Sequence, residues 1–339
     1  MLARVSGIRT STLGSAESQR QGRRSLSGAR DLALFAMTRL VYGLAVLLGV
    51  TTLAFALIHL SGDPVAALAP PGASPEDQAV LRARFALDEP LPIQYAAFLG
   101  RAVRGDFGDS WSQRRPALTA VGERLPATLA LTGAALGIAL LIGVPLGMAA
   151  STGARGWPGA LATLVALLGQ AIPGFWLGTM LILAFAVDRH WFPSSGLDGP
   201  RSLVLPALTL AAYPLATVVR LLRASLAETV TGDFVLTARA KGLEGRVVLR
   251  RHALPNAALP ALAYVGLQTG FLLGGAVVVE AVFAYPGIGR LALQAVADRD
   301  LPLIQAIVVT VAALIVVVNL TIDLIAAWMD PRARSGGAA

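Results

Sequence analysis

Six long apolar segments constrain the fold of this chain more than any other feature of its sequence. A helix needs about 20 mostly apolar residues to cross the hydrocarbon core of a bilayer. The six run from Leu40 to Leu60, Ala127 to Ala150, Leu161 to Val187, Leu203 to Leu222, Leu259 to Phe283 and Leu303 to Trp328. Only 14% of the 339 residues are charged, whereas soluble domains average about 25%. The sequence therefore predicts an all-α integral membrane protein with six transmembrane helices.

The distribution of charge predicts the side of the membrane on which each connecting segment lies. If the N-terminus is cytoplasmic, the inside segments carry 17 Lys/Arg and 6 Asp/Glu, and the outside segments carry 11 and 12. Because cytoplasmic segments are enriched in Lys and Arg, we expect both termini to be cytoplasmic. Residues 1–36 are basic and have no apolar core typical of a cleaved signal peptide, so we expect a disordered tail. The sequence leaves open whether translation starts at Met1 or Met37.

The segment between the first two spans, residues 61–125, is too long for a tight turn. Apolar residues recur at helical spacing within 74–108, and Ser74 followed by Asp77 resembles the capping box that begins a helix. We therefore expect a small helical cap on the outer face of the membrane. Within it, the sequence GDSWS at 108–112 lacks the second glycine of a nucleophile elbow, and we interpret it as a surface loop.

Small residues and prolines in the later spans indicate closely packed, kinked helices. Glycines at four-residue spacing let helix backbones approach each other. They are Gly133/Gly137, Gly143/Gly147, Gly174/Gly178 and Gly266/Gly270/Gly274. Each proline removes a backbone donor and bends its helix. These are Pro145, Pro173, Pro206, Pro214 and Pro260. Both patterns suit a pathway that opens and closes, but receptors and channels share them.

Several classes of function are disfavoured by what the sequence lacks. It has no cysteine and its three histidines have no ligand spacing, so we expect no metal site. It has no G-x-x-x-x-G-K-[S/T] phosphate loop, so it cannot hydrolyse ATP alone. It also has no HExxH or GxSxG motif, and we expect neither catalytic residues nor enzyme activity. Glu280 and Asp323 lie within spans, but we interpret them as structural, which counts against a proton-coupled carrier.

The most informative segment is FVLTARAKGLEGRVVLRRHALPNA at 234–257. Its positive charge follows from topology alone, but its pattern does not. Ala238 precedes Gly242 by four positions, and Leu254-Pro255 follows a basic stretch. This spacing resembles the cytoplasmic EAA loop of ABC importer permeases, in which Glu-Ala-Ala, three residues and Gly are followed after nine residues by Ile-x-Leu-Pro. The chain departs from that consensus at Leu236, Thr237 and His252.

Other blocks match the dipeptide/oligopeptide/nickel branch of the same family. They are TARAKGL (237–243), HALPNA (252–257), SGDPV (61–65), RGDFGDS (104–110), RLPATLAL (124–131), IPGFWLG (172–178), VEAVFAYPGIGRL (279–291) and VNLTIDLIAAWMDPRAR (318–334). The resemblance covers about residues 37–334. It implies the type I ABC importer permease (MetI-like) fold. Residues 37–123 would hold the first span and the cap, 124–330 the five-helix permease domain, and 331–339 a cytoplasmic tail.

The resemblance also implies a site and its partners. Segment 223–258 would be a coupling loop that docks on a separate ATP-binding subunit, so ATP would be bound by that partner and no cofactor by this chain. The expected docking residues are Ala238, Arg239, Lys241, Gly242, Leu243, His252, Leu254, Pro255 and Asn256. Further expected partners are a second homologous permease subunit, a second ATP-binding subunit and an extracytoplasmic substrate-binding protein. The location would be a bacterial inner membrane, with no nucleic acid bound.

The residues themselves fit this interpretation. FVLTARAK predicts a short helix along the inner membrane face, and Gly242 suits the left-handed turn that ends a helix. Pro255 then leads into the fifth span. Gln170 and Gln268 are candidates for lining the pathway, although they are equally suited to bonding neighbouring helices.

Two other functions stay open from the residues alone. A stand-alone carrier or channel would use the basic loop only to set topology. A membrane anchor or scaffold would not need kinking prolines in several spans. The sequence leaves the solute open among dipeptides, oligopeptides, nickel chelates and other small molecules, and it leaves open whether the permease pair is homo- or heterodimeric.

Overall fold

The structure, a computed structural model, describes residues 33–56, 59, 65, 72–85, 87–152 and 156–329. The predicted tail at 1–36 lies outside these residues except for 33–36, and the tail at 331–339 lies outside them completely. The helices are α1 (Ala33–Ala56), α2 (Pro75–Phe85), α3 (Leu91–Val103), α4 (Ala117–Thr152), α5 (Trp157–Ala171), α6 (Gly174–Leu181), α7 (Val204–Thr229), α8 (Asp233–Ala240), α9 (Leu254–Val282), α10 (Ile288–Ala297) and α11 (Leu301–Met329). A β-hairpin of two short antiparallel strands, β1 (Asp109–Ser110) and β2 (Arg115–Pro116), precedes α4.

Fewer helices than the six predicted spans qualify as membrane-spanning among the described residues. Four helical stretches among the described residues are long and apolar enough to cross a bilayer, and they correspond to α1, α4, α7 and α11. A fifth span is formed if α5, α6 and the π-helical turn Ile182–Val187 are taken together. The fifth predicted span corresponds to α9, whose described apolar part is the shorter segment Gln268–Val282. The described residues thus support four or five spans, and the predicted count of six is not confirmed.

The third predicted span, from Leu161 to Val187, is not one straight helix. Its two halves, α5 and α6, meet at an angle of 109°. Ile172 is extended (φ −84°, ψ 123°) because it precedes Pro173, and proline disfavours the helical conformation in the residue before it. Pro173 itself precedes the first residue of α6. The proline therefore breaks the span rather than kinking it.

Helix α7 is the centre of the bundle. Along the most apolar part of the α7 span 67% of the residues are buried, whereas along that of α1 only 6% are buried. It packs against α4, α5, α6 and α9. Leu205 and Leu210 of α7 join Leu131 of α4 and Phe283 in the largest buried cluster. Because α7 is surrounded on most sides, the elements at its two ends are fixed relative to the rest of the bundle.

Some of the predicted small-residue contacts are confirmed. Gly143 and Gly147 of α4 face α7, where an added β-carbon would lie 3.1 Å from Val218 and 3.2 Å from Leu222. A β-carbon added at Gly178 would likewise lie 3.1 Å from the Phe283 ring. Other predicted positions do not bring described helices together, since a β-carbon there would meet no described atom within 4 Å. Those positions are Gly133, Gly137, Gly174 and Gly274.

One end of the bundle, here called the hairpin end, is held by two buried carboxyl groups. The carboxylate of Asp300 is fully buried and accepts hydrogen bonds from the hydroxyls of Ser110 (2.6 Å) and Ser112 (2.7 Å). Its other oxygen accepts the Leu303 N–H at 3.2 Å and caps α11. The interpretation of GDSWS as a surface loop is therefore wrong for Ser110, which is fully buried against a residue far along the chain.

The second buried carboxyl group, that of Glu280, joins α9 to α4 and α10. It accepts hydrogen bonds from the Thr128 hydroxyl (2.7 Å) and the Arg290 N–H (3.0 Å), and Thr128 accepts the Ile288 N–H. A β-carbon at Gly287 would overlap this carboxyl group. Burial and the neighbouring Glu280 raise the pKa of Tyr285 above its ordinary value, so its hydroxyl stays protonated and donates to the Ala127 carbonyl. These contacts agree with a structural role for Glu280.

Two further sequence interpretations concern local contacts. The capping box is confirmed, because Asp77 N–H donates to the Ser74 hydroxyl (3.1 Å) and Ser74 N–H donates to the Asp77 carboxylate (3.2 Å). Asp323 of α11 forms an ion pair with Arg39 of α1 at 3.3 Å, which joins the first and last described helices. Asp323 is thus bound to a neighbouring helix, as a structural residue would be.

Candidate functional site

The opposite end of the bundle, here called the loop end, presents the short helix α8. It begins at Asp233 after the extended residue Gly232, and an acidic residue in the first turn favours a helix N-terminus. It ends at Ala240, and Gly242 follows in the left-handed conformation with φ 79°. The helix predicted from FVLTARAK and the left-handed turn at Gly242 are both confirmed.

Helix α8 has one buried side. Val235 is fully buried and Ala238 is 5% exposed. Both pack against Leu222 and Leu226 near the end of α7, and Val248 belongs to the same cluster. The apolar stripe of α8 thus joins α7 to the beginning of the helical segment that becomes α9.

Three large apolar side chains in α8 or just after it are left largely uncovered by the described residues. Phe234 is 48% exposed, Leu236 is 52% exposed, and Leu243 just after the helix is 39% exposed. Arg239 and Lys241 are exposed beside them. Exposed large apolar side chains are candidates for contact with another protein, and Phe234 and Leu236, two residues apart, project from different parts of the exposed helix surface. The sequence analysis did not select Phe234 and treated Leu236 only as a departure from the EAA consensus. Apolar residues within a basic segment were the signal that could have identified both.

The chain after Gly242 re-enters the bundle as one helical path. A short helix at Gly245–Val247 leads into a π-helical turn at Val248–Ala253, and α9 begins at Leu254. Helix α9 therefore starts five residues before Leu259, where the fifth span was predicted to begin. Pro255 is the second residue of α9, directly after the π-helical turn, and supplies no backbone N–H to that turn.

A positively charged cavity lies between α8, the π-helical turn and the end of α4. Its volume is about 1130 Å³, and three arginines line it, Arg239, Arg246 and Arg250. Pro145 and Met148 of α4 form part of its wall. The loop end thus combines an apolar exposed helix face with a basic cavity beside it.

The structure brings some of the predicted docking residues together and separates others. Arg239 and Leu254 line the same cavity, and half-buried Leu254 packs on the cluster that contains Ala238. Lys241, Gly242 and Leu243 are exposed at the end of α8. His252 is half-buried in the π-helical turn, and its carbonyl accepts the Asn256 side-chain amide at 2.8 Å. Pro255 and Asn256 are exposed at the start of α9.

The two glutamines predicted as pathway residues lie away from this loop. Gln170 is near the end of α5, where it contacts Thr217 and Arg220 of α7. Gln268 is 8% exposed within α9. Only Gln170 lines a groove among the cavities described here.

The left-handed turn at Gly242 gives a test of the loop's local stability. No described atom lies within 4 Å of a β-carbon added at Gly242 or at Gly245, and only Gly242 has a positive φ. We expect Gly242→Ala to destabilise the turn by about 1 kcal/mol, and Gly242→Asn by less. Hydrogen–deuterium exchange of peptides covering 233–243 should then be roughly fivefold faster in Gly242→Ala. Gly245→Ala is the matched control, and equal exchange in both alanine variants would contradict the expected strain.

Comparisons with known proteins match most of the chain. Residues 143–335 match the family described as the binding-protein-dependent transport system inner membrane component. The dipeptide transport system permease protein DppB of Alkalihalophilus pseudofirmus is 36% identical over 329 residues, which covers 88% of this chain and 99% of that protein. The glutathione transport system permease protein GsiC of Salmonella paratyphi A is 38% identical over 301 residues, which covers 88% and 98%.

Solved structures share the fold of the bundle. A chain of the inward-facing MetNI methionine ABC transporter, in a selenomethionine-soaked crystal form, aligns with a TM-score of 0.54 and 19% identity, covering 62% of this chain and 96% of that one. The native crystal form of the same transporter gives a TM-score of 0.50 and 21% identity, with the same coverage. The helices described here therefore adopt the MetI-like fold expected from the sequence.

Proposed function

The chain belongs to the family of binding-protein-dependent transport system inner membrane components, and from that premise we propose that it is the permease subunit of an ATP-driven importer of small peptides. It would form half of the transmembrane pathway. Two relatives that it matches along almost their full length are named for dipeptide and for glutathione, and glutathione is itself a short peptide. This common chemistry favours peptides over nickel chelates among the solutes that the sequence left open.

One observation carries the coupling part of the proposal, namely the two-sided packing of α8. Its buried side is packed on α7 and on the segment that becomes α9, whereas Phe234 and Leu236 are exposed on the remaining helix surface. A separate ATP-binding subunit would bind the exposed side. Because Val235 and Ala238 are tightly packed, a displacement of α8 would be transmitted to α7 and α9 as a rigid-body motion.

The proposed assembly follows from the same premise. A second homologous permease subunit would complete the pathway, two ATP-binding subunits would hydrolyse ATP, and an extracytoplasmic protein would deliver the solute. The charge distribution supports a cytoplasmic N-terminus and C-terminus, and the loop end would then lie in the cytoplasm of a bacterial cell and the hairpin end outside. Segment 223–258 would be the coupling loop of a permease domain at 124–330.

Leu236→Asp tests whether the exposed face of α8 binds the ATP-binding subunit. An aspartate at the centre of an apolar contact leaves a desolvated charge, so we expect the ATP-binding subunit to copurify at about one tenth of the wild-type amount or less. ATP-driven uptake of radiolabelled alanyl-alanine by vesicles should fall in parallel. Because Leu236 is exposed, the variant should stay in the membrane at normal amounts.

Val103→Asp is the matched control for that experiment. Val103 is 88% exposed on α3, in the segment predicted to lie on the opposite side of the membrane. Copurification of the ATP-binding subunit should be unchanged in this variant. Normal copurification with Leu236→Asp would show that the exposed face of α8 is not the docking surface. Uptake by the wild-type chain without any ATP-binding subunit would favour a stand-alone carrier or channel instead.

A further inference from the structure

A groove between α5 and α7 contains two arginines at the edge of the bundle interior. Its volume is about 460 Å³, within the range of about 300–1000 Å³ that is typical of small-molecule sites. Its walls are largely apolar, with Leu167 and Val219 among them, and its polar lining consists of Thr163, Gln170, Arg220 and Arg223. The groove is distinct from the basic cavity at the loop end.

The two guanidinium groups in this groove contact neutral acceptors. Arg220 donates to the Gln170 side-chain oxygen at 3.2 Å, and Arg223 donates to the Thr163 hydroxyl at 2.9 Å. Among the described residues, neither arginine lies within 4.0 Å of a carboxylate. A guanidinium group has five N–H donors, so most of those on Arg220 and Arg223 stay available. Both arginines lie in the C-terminal part of the helical stretch Pro200–Thr229, near the loop end of the fourth predicted span.

Arg220 lies further from the loop end of α7 than Arg223 does. It is nine residues before the end of α7, or about 13 Å along the helix axis. Its contact, Gln170, is seven residues further along α5 than Thr163, the contact of Arg223, and so is further from the loop end. Arg220 is exposed in the single subunit, and its guanidinium group is held against α5 by Gln170 at a level further from the loop end than the Arg223 contact.

The surroundings of Arg220 are polar on three elements. The Gln170 amide reaches the Thr217 hydroxyl at 3.5 Å, and the buried hydroxyl of Tyr264 on α9 lies beside Thr217. Gln170 also directly precedes the 109° break between α5 and α6. Broken helices inside membranes expose backbone polar groups where they line a cavity, and substrate sites of transporters are found at such breaks.

We propose that Arg220, with Arg223 and Gln170, binds a carboxylate group of the solute that passes through the permease. Planar guanidinium groups pair with carboxylates through two parallel hydrogen bonds, which gives both attraction and orientation. The Gln170 amide is placed to accept one donor of Arg220 and leaves the others directed into the groove. This inference rests on the proposed function, because it assumes that a solute reaches the groove. A lipid phosphate has similar oxyanion chemistry and is the alternative occupant to be tested.

The experiment uses the complete transporter in lipid nanodiscs without its substrate-binding protein. Equilibrium binding of radiolabelled alanyl-alanine is compared with that of its C-terminal amide, which lacks the carboxylate. We expect Arg220→Gln to weaken binding of alanyl-alanine by about tenfold or more, because a charge-assisted hydrogen bond is lost. Arg220→Lys should retain part of the affinity. The amide should bind weakly to the wild type, and its affinity for Arg220→Gln should be the same.

Arg104→Gln is the control, because Arg104 is an exposed arginine on the hairpin side of the chain and should not affect binding. Equal affinities for the peptide and its amide in the wild type would overturn the proposal. Unchanged peptide binding in both Arg220→Gln and Arg223→Gln would also overturn it. If, in addition, phosphatidylglycerol raises the melting temperature of the wild type but not of these variants, the arginines bind a lipid phosphate instead.

The two proposals fail in different ways. If the wild-type transporter shows no ATP-driven uptake of any peptide, the proposed function is wrong. If uptake is normal and the Arg220→Gln variant takes up alanyl-alanine as fast as the wild type, only the assignment of the groove is wrong. Arg220→Lys, which keeps the charge, provides the folded comparison if Arg220→Gln does not assemble.

Discussion

Ala238→Glu is expected to abolish ATP-driven uptake by disrupting the packing of α8 on the bundle. The side chain of Ala238 is 5% exposed and packs among Leu222, Leu226 and Val248. A carboxylate there would be forced among apolar side chains, and burying a charge in such surroundings costs several kcal/mol. Hydrogen–deuterium exchange should show the amides of 233–253 opening at least tenfold faster, and peptide uptake should fall to background.

Ala240→Glu is the matched control for that prediction. Ala240 is on the same helix, two residues away, and is exposed. The same carboxylate there stays in water, so exchange of the 233–253 amides should be unchanged. Equal exchange in the two variants would show that the inward packing of Ala238 does not hold the loop. Ala238 was expected to dock on a partner, but its buried side chain packs α8 on the bundle and is not available for direct contact with another protein.

Glu280→Ala is expected to cause the largest loss of stability at the hairpin end. Glu280 is fully buried, and its carboxyl group accepts hydrogen bonds from the Thr128 hydroxyl and the Arg290 N–H. Removing it leaves both donors buried without an acceptor, at a cost of about 1–3 kcal/mol each. We expect the free energy of unfolding to fall by about 3 kcal/mol, measured as a lower melting temperature of the purified protein in detergent.

Glu228→Ala serves as the comparison for Glu280→Ala. Glu228 is exposed near the end of α7, and substitutions at such positions usually change stability by less than about 0.5 kcal/mol. Glu280→Gln should lie between the two, since an amide keeps one oxygen as an acceptor but brings two new donors into a site built from donors. A melting temperature of Glu280→Ala equal to that of Glu228→Ala would show that the junction of α4, α9 and α10 is held by packing alone.

Features with a local cause were predicted best. The capping box at Ser74 and Asp77, the helix α8 and the left-handed turn at Gly242 each depend on residues a few positions apart, and all three were confirmed. The break in the third span was missed, although its cause was visible in the sequence. A proline is compatible with a kinked helix or a broken one, and the neighbouring helices decide which conformation is adopted.

Features that join distant parts of the chain were predicted least well. Ser110 and Asp300 are 190 residues apart, so nothing in the sequence near GDSWS indicates a buried contact. The glycine pattern was identical in α4 at Gly133/Gly137 and at Gly143/Gly147, yet only the second pair faces a described helix. Spacing defines the face of a helix on which small residues lie, but it does not define what that face meets.

The sequence by itself determined that this protein belongs in a membrane, its family and the position of the short helix α8 with its left-handed turn, because hydropathy and short motifs act over lengths of one helix or less. The tertiary structure alone decided which side of α8 is buried, which carboxyl groups are locked at the hairpin end, and that Arg220 meets Gln170 beside a broken helix. These depend on how α4, α5, α7 and α9 pack. Such contacts bring together residues that are far apart in the chain, and their free energy is set by the shape of the whole bundle rather than by local pattern.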